Sequence, residues 1–430
     1  MTPNNPAPSS GSTRRQFLKT TSAVALTTAV TPLAAARGVR RRNDVLRVGL
    51  VGCGGRGTGA AAQALTADPD TRLVALADTF GDQLDKCLTT LRGSQGIADR
   101  IDVADDMKFV GFDAYKGVVD NCDVVLLATS PYFRPMHVAY AVEAGKHLFV
   151  EKPIATDAPG VRSMLASVEL ARQKGLSLVS GLCYRYSFAK QATVERIHDG
   201  AIGDITSLQT TYNTTGLWHR GRKEDWSDME WQIRNWLYFT WLSGDHITEQ
   251  HIHSLDKIAW TMGSYPVKVT ASGGRAVRTD PKYGNIYDHF NSVFEFENDV
   301  KCFSSCRQWN GASSDVSDHV FGTKGVAHLQ SHKIDGEHRW RWRSDEPDDM
   351  YQNEHDVLFA AIRAGEPVNN GEYMCHSTLM AIMARMSAYT GQTVTWEEAL
   401  ASQEDLSPTA FEWSALEVRP VARPGVTKFS

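Results

Sequence analysis

No two cysteines in this 430-residue chain stand in a C-x-x-C spacing; the seven, at 53, 87, 122, 183, 302, 306 and 375, are scattered. That pattern excludes a zinc ribbon and, with its odd count, a disulfide framework. Long apolar runs are missing after the N-terminal region, so no stable membrane insertion is expected. An excess of base is missing too: 45 Lys and Arg face 50 Asp and Glu. Residues 1–36 hold Arg14, Arg15 and Lys19 and no acid, so the remainder is more acidic still. An acidic body argues against nucleic acid as the partner. What is present, 42% hydrophobic and 22% charged residues, builds a sizeable core, and the length suits two domains.

The first residues read as an address. Residues 12–19 are STRRQFLK, followed by a weakly apolar run rich in Ala and Thr that ends at Ala34-Ala35-Ala36. A basic region, an apolar region and a small-residue site define an export signal, and the paired arginines mark the Tat variety, with the Tat export machinery as partner. The alternative is an ordinary basic, Ala-rich terminus. The expected organisation is a signal at 1–36, a dinucleotide-binding domain at 37–180, a substrate domain at 181–405 and a tail at 406–430. The expected location is periplasmic or otherwise extracytoplasmic.

Leu46 to Val51 (LRVGLV) has the look of a buried parallel strand. It runs straight into Gly52-Cys53-Gly54-Gly55-Arg56-Gly57, a G-x-G-x-x-G turn, and then an Ala-rich helix. In such a turn the first Gly permits the tight bend. The second lets backbone N–H groups reach a pyrophosphate, and the third lets helix and strand pack closely. The helix N-terminus supplies N–H donors and a positive dipole end. A second strand ends at Asp78, placed to accept hydrogen bonds from ribose hydroxyls and to repel a 2′-phosphate, which favours NAD over NADP. Further strands at 123–129, 147–150 and 176–180 alternate with helices, which implies a doubly wound parallel sheet. Gly52, Asp78, Thr129, Lys152 and Tyr184 fall at strand ends, where ligands of such sheets sit.

At this point the chain is similar to the Gfo/Idh/MocA family of the glucose–fructose oxidoreductase and inositol dehydrogenase type. The resemblance rests on VGLVGCGGRG, on ATSPYFRPMHVAYAVEAGKHLFVEKPIATD at residues 128–157, and on the later pair His253 and Asp256. It covers nearly all of residues 45–400. It implies a Rossmann domain followed by an α+β domain with a large, mostly antiparallel sheet, a homo-oligomer paired through that sheet, and NAD-dependent oxidoreduction of a sugar or polyol. The implied cofactor residues are Gly52, Gly54, Gly55, Arg56, Gly57, Asp78, Thr129, Ser130, His137, Glu151 and Lys152. Arg134 and His137 would touch the ribose or cap a helix. The implied catalytic set is Lys152, His253 and Glu249, where Glu249 stands in the place of the family's Asp.

Residues 244–260 are expected to be one helix, with His246, Glu249, His253 and either Asp256 or Lys257 on one face. His253 is the candidate base, since imidazole titrates nearest working pH. Lys152 would stabilise negative charge on the same oxygen, Glu249 would orient the imidazole or hold a neighbouring hydroxyl, and Pro153 would fix the turn that aims Lys152. The alternatives are a metal site at His246, Glu249 and His253, a merely polar helix face, and a structural ion pair for Lys152. Tyr184, Arg185, Trp218 and His246 are weaker substrate candidates. Six tryptophans between Trp218 and Trp260 suit either a sugar's C–H faces or a core. His355 and His376 could reach the site. Cys302 and Cys306, four apart on one strand, should not pair. Two closed cofactor cycles are open for an exported enzyme that keeps its NAD. One couples two redox half-reactions; the other oxidises, eliminates or epimerises, and reduces one substrate, as a glycoside hydrolase, lyase or epimerase. A non-catalytic sugar-binding protein is the reading from another class. The tail after Asp405 is expected to wrap a neighbouring subunit.

Overall fold

The structure, a computed structural model, describes residues 44–428; the export reading of residues 1–36 lies outside the described residues. Six parallel strands open the fold: β1 (Leu46–Val51), β2 (Thr71–Asp78), β3 (Lys108–Val110), β4 (Val124–Leu127), β5 (His147–Val150) and β6 (Leu178–Ser180), in spatial order β3-β2-β1-β4-β5-β6. The apolar runs of β1 and β4 are buried on both sides, as a parallel sheet covered on both faces requires. The covering helices are α1 (Gly55–Ala67), α2 (Gly81–Arg92), α3 (Ala114–Asn121), α4 (Arg134–Glu143) and α5 (Ala158–Gln173). Strand order turns back between β1 and β4, which opens the crevice where ligands of such sheets bind.

After α6 (Phe188–His198) the chain lays down β7 (Ile205–Thr214) and the short helices α7 (Asp228–Arg234), α8 (Thr240–Ser243) and α9 (His246–Glu249), then α10 (Ile252–Met262). The strands β8 (Lys268–Gly274), β9 (His289–Glu295), β10 (Lys301–Gln308), β11 (Asp315–Gly322), β12 (Gly325–His328), β13 (Lys333–Gly336) and β14 (Trp340–Arg341) follow, then α11 (Met350–Ala364), α12 (Gly371–Thr390), β15 (Val394–Thr395) and α13 (Trp396–Ala401). The second sheet has nine strands, β14-β13-β12-β11-β7-β10-β9-β8-β15. Only the β10–β7 pair in it is parallel. The chain turns between β9 and β10 at Asn298-Asp299, both residues at positive φ, which Asn and Asp tolerate. Each of the seven cysteines is free and buried. Lys257 of α10 and Asp318 of β11, both fully buried, form an ion pair completed by Thr210 Oγ1 at 2.5 Å from the carboxylate and Gln330 at 3.1 Å from the ammonium.

Two features depart from the sequence reading. The single helix expected over 244–260 is two. Gly244 and Asp245 both have positive φ (74° and 72°), and the chain breaks again at Gln250–His251 before α10 begins. The tail, expected to wrap a neighbouring subunit, packs against its own chain. Phe411 stacks near Phe112, Tyr132 and Phe133, Trp413 near Phe80 and Phe112, and Gly425 N donates to Thr390 O. No described helix is long and apolar enough to cross a membrane.

Candidate functional site

The phosphate turn has the backbone its glycines were expected to provide. Gly52 has φ +98°, and a Cβ on Gly57 would sit 1.9 Å from Gly52 O, so α1 can approach β1 only with glycine there. A Cβ at Gly54 or Gly55 would meet nothing within 4 Å. Helix α1 starts without a side-chain cap, which leaves its first N–H groups for an anion. These are features a dinucleotide's pyrophosphate fits.

A cleft above this turn is lined by Gly52, Gly54, Asp78, Thr129 and Ser130, and across from them by Trp218, Arg220, Arg234 and Trp236 of the second domain. The Asp78 carboxylate accepts from Cys53 N at 2.7 Å and Phe80 N at 2.9 Å. Burial raises its pKa, and those two backbone donors hold it down. Each carboxylate oxygen keeps a second lone pair for a ribose hydroxyl.

A second cavity, of about 220 Å³, lies beyond the ends of β4 and β5 and is lined by Arg56, Arg134, Glu151, Lys152, Gly181, Trp236, Glu249, His253 and Tyr351, with Ala128. Ala128 and Trp236 also line the first cleft, so the two cavities adjoin. Lys152 and His253 therefore face one space. Lys152 Nζ donates to the Glu249 carbonyl at 2.5 Å and to its carboxylate at 3.1 Å. The structural ion pair considered for Lys152 exists, with Glu249 across the cavity. His253 is held well below the usual histidine range, first by burial and then by the positive charges of Lys152, Lys257 and Arg56. Its Nδ1 has no hydrogen-bond partner among the described residues, and the Tyr184 ring meets it edge to face at 5.2 Å.

Several sequence-based roles are corrected. Glu249 holds the lysine and not the imidazole: it ends α9, while His253 lies in the first turn of the separate α10. His246 points away: its ring nitrogens face the Asp245 carboxylate (3.1 Å) and Cys306 Sγ (3.4 Å) under Phe290. It is thus neither a substrate residue nor able to converge on a metal with Glu249 and His253. Arg185 is spent on a two-pronged ion pair with Asp256, which also accepts from Ser377, and stands 4.0 Å from the Tyr373 ring centre. Trp218 lines the dinucleotide cleft and not the Lys152 cavity. Arg56 leaves the phosphate turn to pair with Glu151 and, at 2.6 Å, with Glu354. His137 is buried beneath the cleft against Tyr115 and Phe133. His355 packs on Phe149 and His376 between Tyr265 and Trp396, so neither reaches the cavity. Trp231 and Trp241 are core, the bland reading of that aromatic run.

Sequence reasoning missed Tyr351, named Trp236 only as one of a run of tryptophans, and gave Arg134 another task, contact with the ribose or a helix cap. Tyr351 of α11 and Trp236 of the turn before α8 carry no local signal. Arg134 is buried and donates through Nη2 to Thr129 O at 2.5 Å and through Nη1 to Pro153 O. It ties the end of β4 to the Lys152-Pro153 peptide, which is cis, and burial pushes its pKa down to about 10.

Comparison with known proteins agrees with this geometry. Residues 46–182 match the profile of the GFO_IDH_MocA oxidoreductase family, described as an NAD-binding Rossmann fold. Residues 191–328 match the GFO/IDH/MocA C-terminal domain. A 2,7-anhydro-N-acetylneuraminate hydratase of Escherichia coli is 26% identical over 54% of this chain and 59% of its own length. The chain thus spans less than two thirds of that relative. An inositol 2-dehydrogenase of Rhizobium meliloti is 26% identical over 67% of this chain and 76% of its own. The fold is shared with a scyllo-inositol dehydrogenase of Lactobacillus casei solved with NAD(H) and scyllo-inositol, at 18% identity and a TM-score of 0.63 over 82% of this chain and all of that one.

Proposed function

Because this chain belongs to the Gfo/Idh/MocA oxidoreductase family, we propose that it transfers hydride between a hydroxyl-bearing carbon of a sugar or polyol and NAD. The observation that carries the reading is the shared border of the two cavities. Ala128 and Trp236 line both, so a nucleotide laid along the Gly52–Asp78 cleft ends where Lys152 and His253 face each other's space. Bound NAD supplies a hydride acceptor there. The Lys152 ammonium hydrogen-bonds the reacting oxygen and favours the negative charge that develops on it. His253 is the proton acceptor, and the burial that lowers its pKa keeps it in the accepting form well below pH 6.5. Glu249 holds Lys152 in place, and Arg134 fixes the peptide that follows it.

A second reading, oxidation, elimination and re-reduction of one substrate with no net change in NAD, is supported by the relative named as a hydratase. One experiment addresses both. The purified protein is denatured, released nucleotide is assayed, and the intact protein is offered sugars, polyols and glycosides. Near-stoichiometric NAD with reduction of the bound nucleotide by a polyol supports hydride transfer. Cleavage of a glycoside with no net NADH supports the cycle. An intact protein that neither releases NAD nor takes it up would remove both.

Export gives a retained cofactor its purpose, since a free NAD pool belongs to the cytoplasm. We infer that residues 1–36 direct export of the folded protein. The paired substitution Arg14→Lys and Arg15→Lys is expected to leave it in the cytoplasm; unchanged secretion of that variant would dismiss the inference.

A further inference from the structure

The far wall of the dinucleotide cleft comes from residues 217–236, between β7 and α8. This wall is built, not a loose loop. Asn235, fully buried, accepts from Arg220 N at 2.8 Å and donates to Arg220 O at 3.1 Å. Tyr238, also buried, donates its hydroxyl to Leu217 O and Trp218 O at 3.1 and 3.0 Å. Leu217, Trp218 and Arg220 of the wall are thus pinned from behind.

The wall is also latched to the floor. Arg234 of α7 makes a two-pronged contact with Asp82 in the first turn of α2, at 3.0 and 3.1 Å, and is steadied by Glu230 at 2.7 Å. Its guanidinium lies 3.8 Å from the centre of the Phe80 ring, two residues beyond Asp78. The bridge therefore crosses the cleft where an adenosine ribose would bind Asp78.

Arg220 is the unusual member. Its guanidinium stands 5.0 Å from the Trp218 ring centre, and no carboxylate among the described residues pairs with it. It lines the same cleft as Gly52, Gly54, Thr129 and Ser130. A pinned backbone and an unneutralised guanidinium facing a phosphate turn suit a doubly charged diphosphate, which takes planar, two-pronged donors well.

Resting on the NAD reading above, we propose that Arg220 and Trp218 are cofactor-binding residues contributed by the second domain. Arg220 pairs with the diphosphate from the side opposite the phosphate turn, and the Arg234–Asp82 bridge holds this wall closed, so that NAD leaves slowly. The function is retention, separate from hydride transfer.

The test uses the full chain loaded with NADH and follows nucleotide fluorescence after mixing with excess NAD. Arg220→Ala is expected to release NADH about 10- to 100-fold faster, the range for losing hydrogen bonds to a charged group. Arg220→Lys is expected to recover part of the loss. Arg234→Ala, which opens the latch and its ring contact, is expected to speed release about fivefold. Arg220 is on the surface, so matching thermal midpoints will show that the variants are folded. Release at the unaltered rate in both alanine variants overturns the proposal, as does a change confined to NADPH, which would place Arg220 at a 2′-phosphate. Failure of the unaltered protein to bind NADH is a distinct outcome: it overturns the NAD reading, and this inference with it.

Discussion

Lys152→Ala is expected to lower kcat on an oxidisable polyol by about 1000-fold, the scale seen when a preorganised donor to a developing oxyanion is removed. KM and NADH retention should move little, because the interaction strengthens only as charge builds on the oxygen. The lysine's position follows from the fold. It lies two residues beyond β5, next to a carboxylate fixed by Arg56, and its ammonium is held by two oxygens of Glu249. Deleting it also leaves the Glu249 carboxylate half-buried without its partner, a cost unrelated to chemistry. Glu249→Gln separates the two effects. If Lys152 acts on substrate, Lys152→Ala should be crippled in the Glu249→Gln background as well. A loss under about fivefold in steady-state turnover would end the catalytic assignment of Lys152.

Stability is expected to fall steeply as pH drops below 6.5, by about 3 kcal/mol per pH unit from His137 and His251 alone. Burial lowers both to about 3. In the unfolded chain each takes a proton near pH 6.5; in the fold each stays neutral until about pH 3. Between those values the unfolded state binds more protons, so acid favours it. The contribution is complete above pH 6.5 and is lost as pH falls toward 3. His253 and His355 shift in the same direction, again through burial and neighbouring cations. Glu354 opposes them. Burial and the negative charge of Glu151 raise its pKa, so the fold takes up that proton earlier and gains on acidification. Asp78 and Asp157 are raised by burial as well, but His328, His332 and His376 are lowered by it, and three carboxyls against seven imidazoles leave the net slope destabilising. Urea midpoints measured in steps from pH 7.5 to 4.5 check this; a midpoint that holds steady or rises below pH 6.5 would refute it.

What the sequence disclosed about the site was what the backbone enforces locally. Gly52 and Gly57 are needed for a positive φ and for a close helix approach. Asp78 ends its strand, and Lys152 follows just beyond another. These are contacts between near neighbours in the chain or consequences of strand ends, and they carry a signature. The helix expected over 244–260 failed because apolar periodicity is blind to a backbone turned by Gly244 and Asp245. That turn is secured by partners far along the chain: the Asp245 carboxylate accepts from Tyr287 N at 2.7 Å and from Tyr389 Oη at 2.5 Å. Arg185 looked available because Asp256, its partner, is 71 positions away. The tryptophan-rich stretch hid a division of labour that only packing reveals, with Trp231 and Trp241 inside and Trp218 and Trp236 over the cleft.

Residues beyond the second sheet return to the first. Helix α11 lays Leu358 and Phe359 into the same buried cluster as Leu46, Phe149 and Val179. Just after it, Val368 O accepts from Leu178 N and Asn370 N donates to Leu178 O, extending the edge at β6. Glu354 of the same helix completes the partners of Arg56. The nucleotide-binding half is therefore not autonomous. A fragment cut near residue 182 would bare the apolar side of β5 and β6, leave an arginine short of one counter-ion, and present an open strand edge to its neighbours.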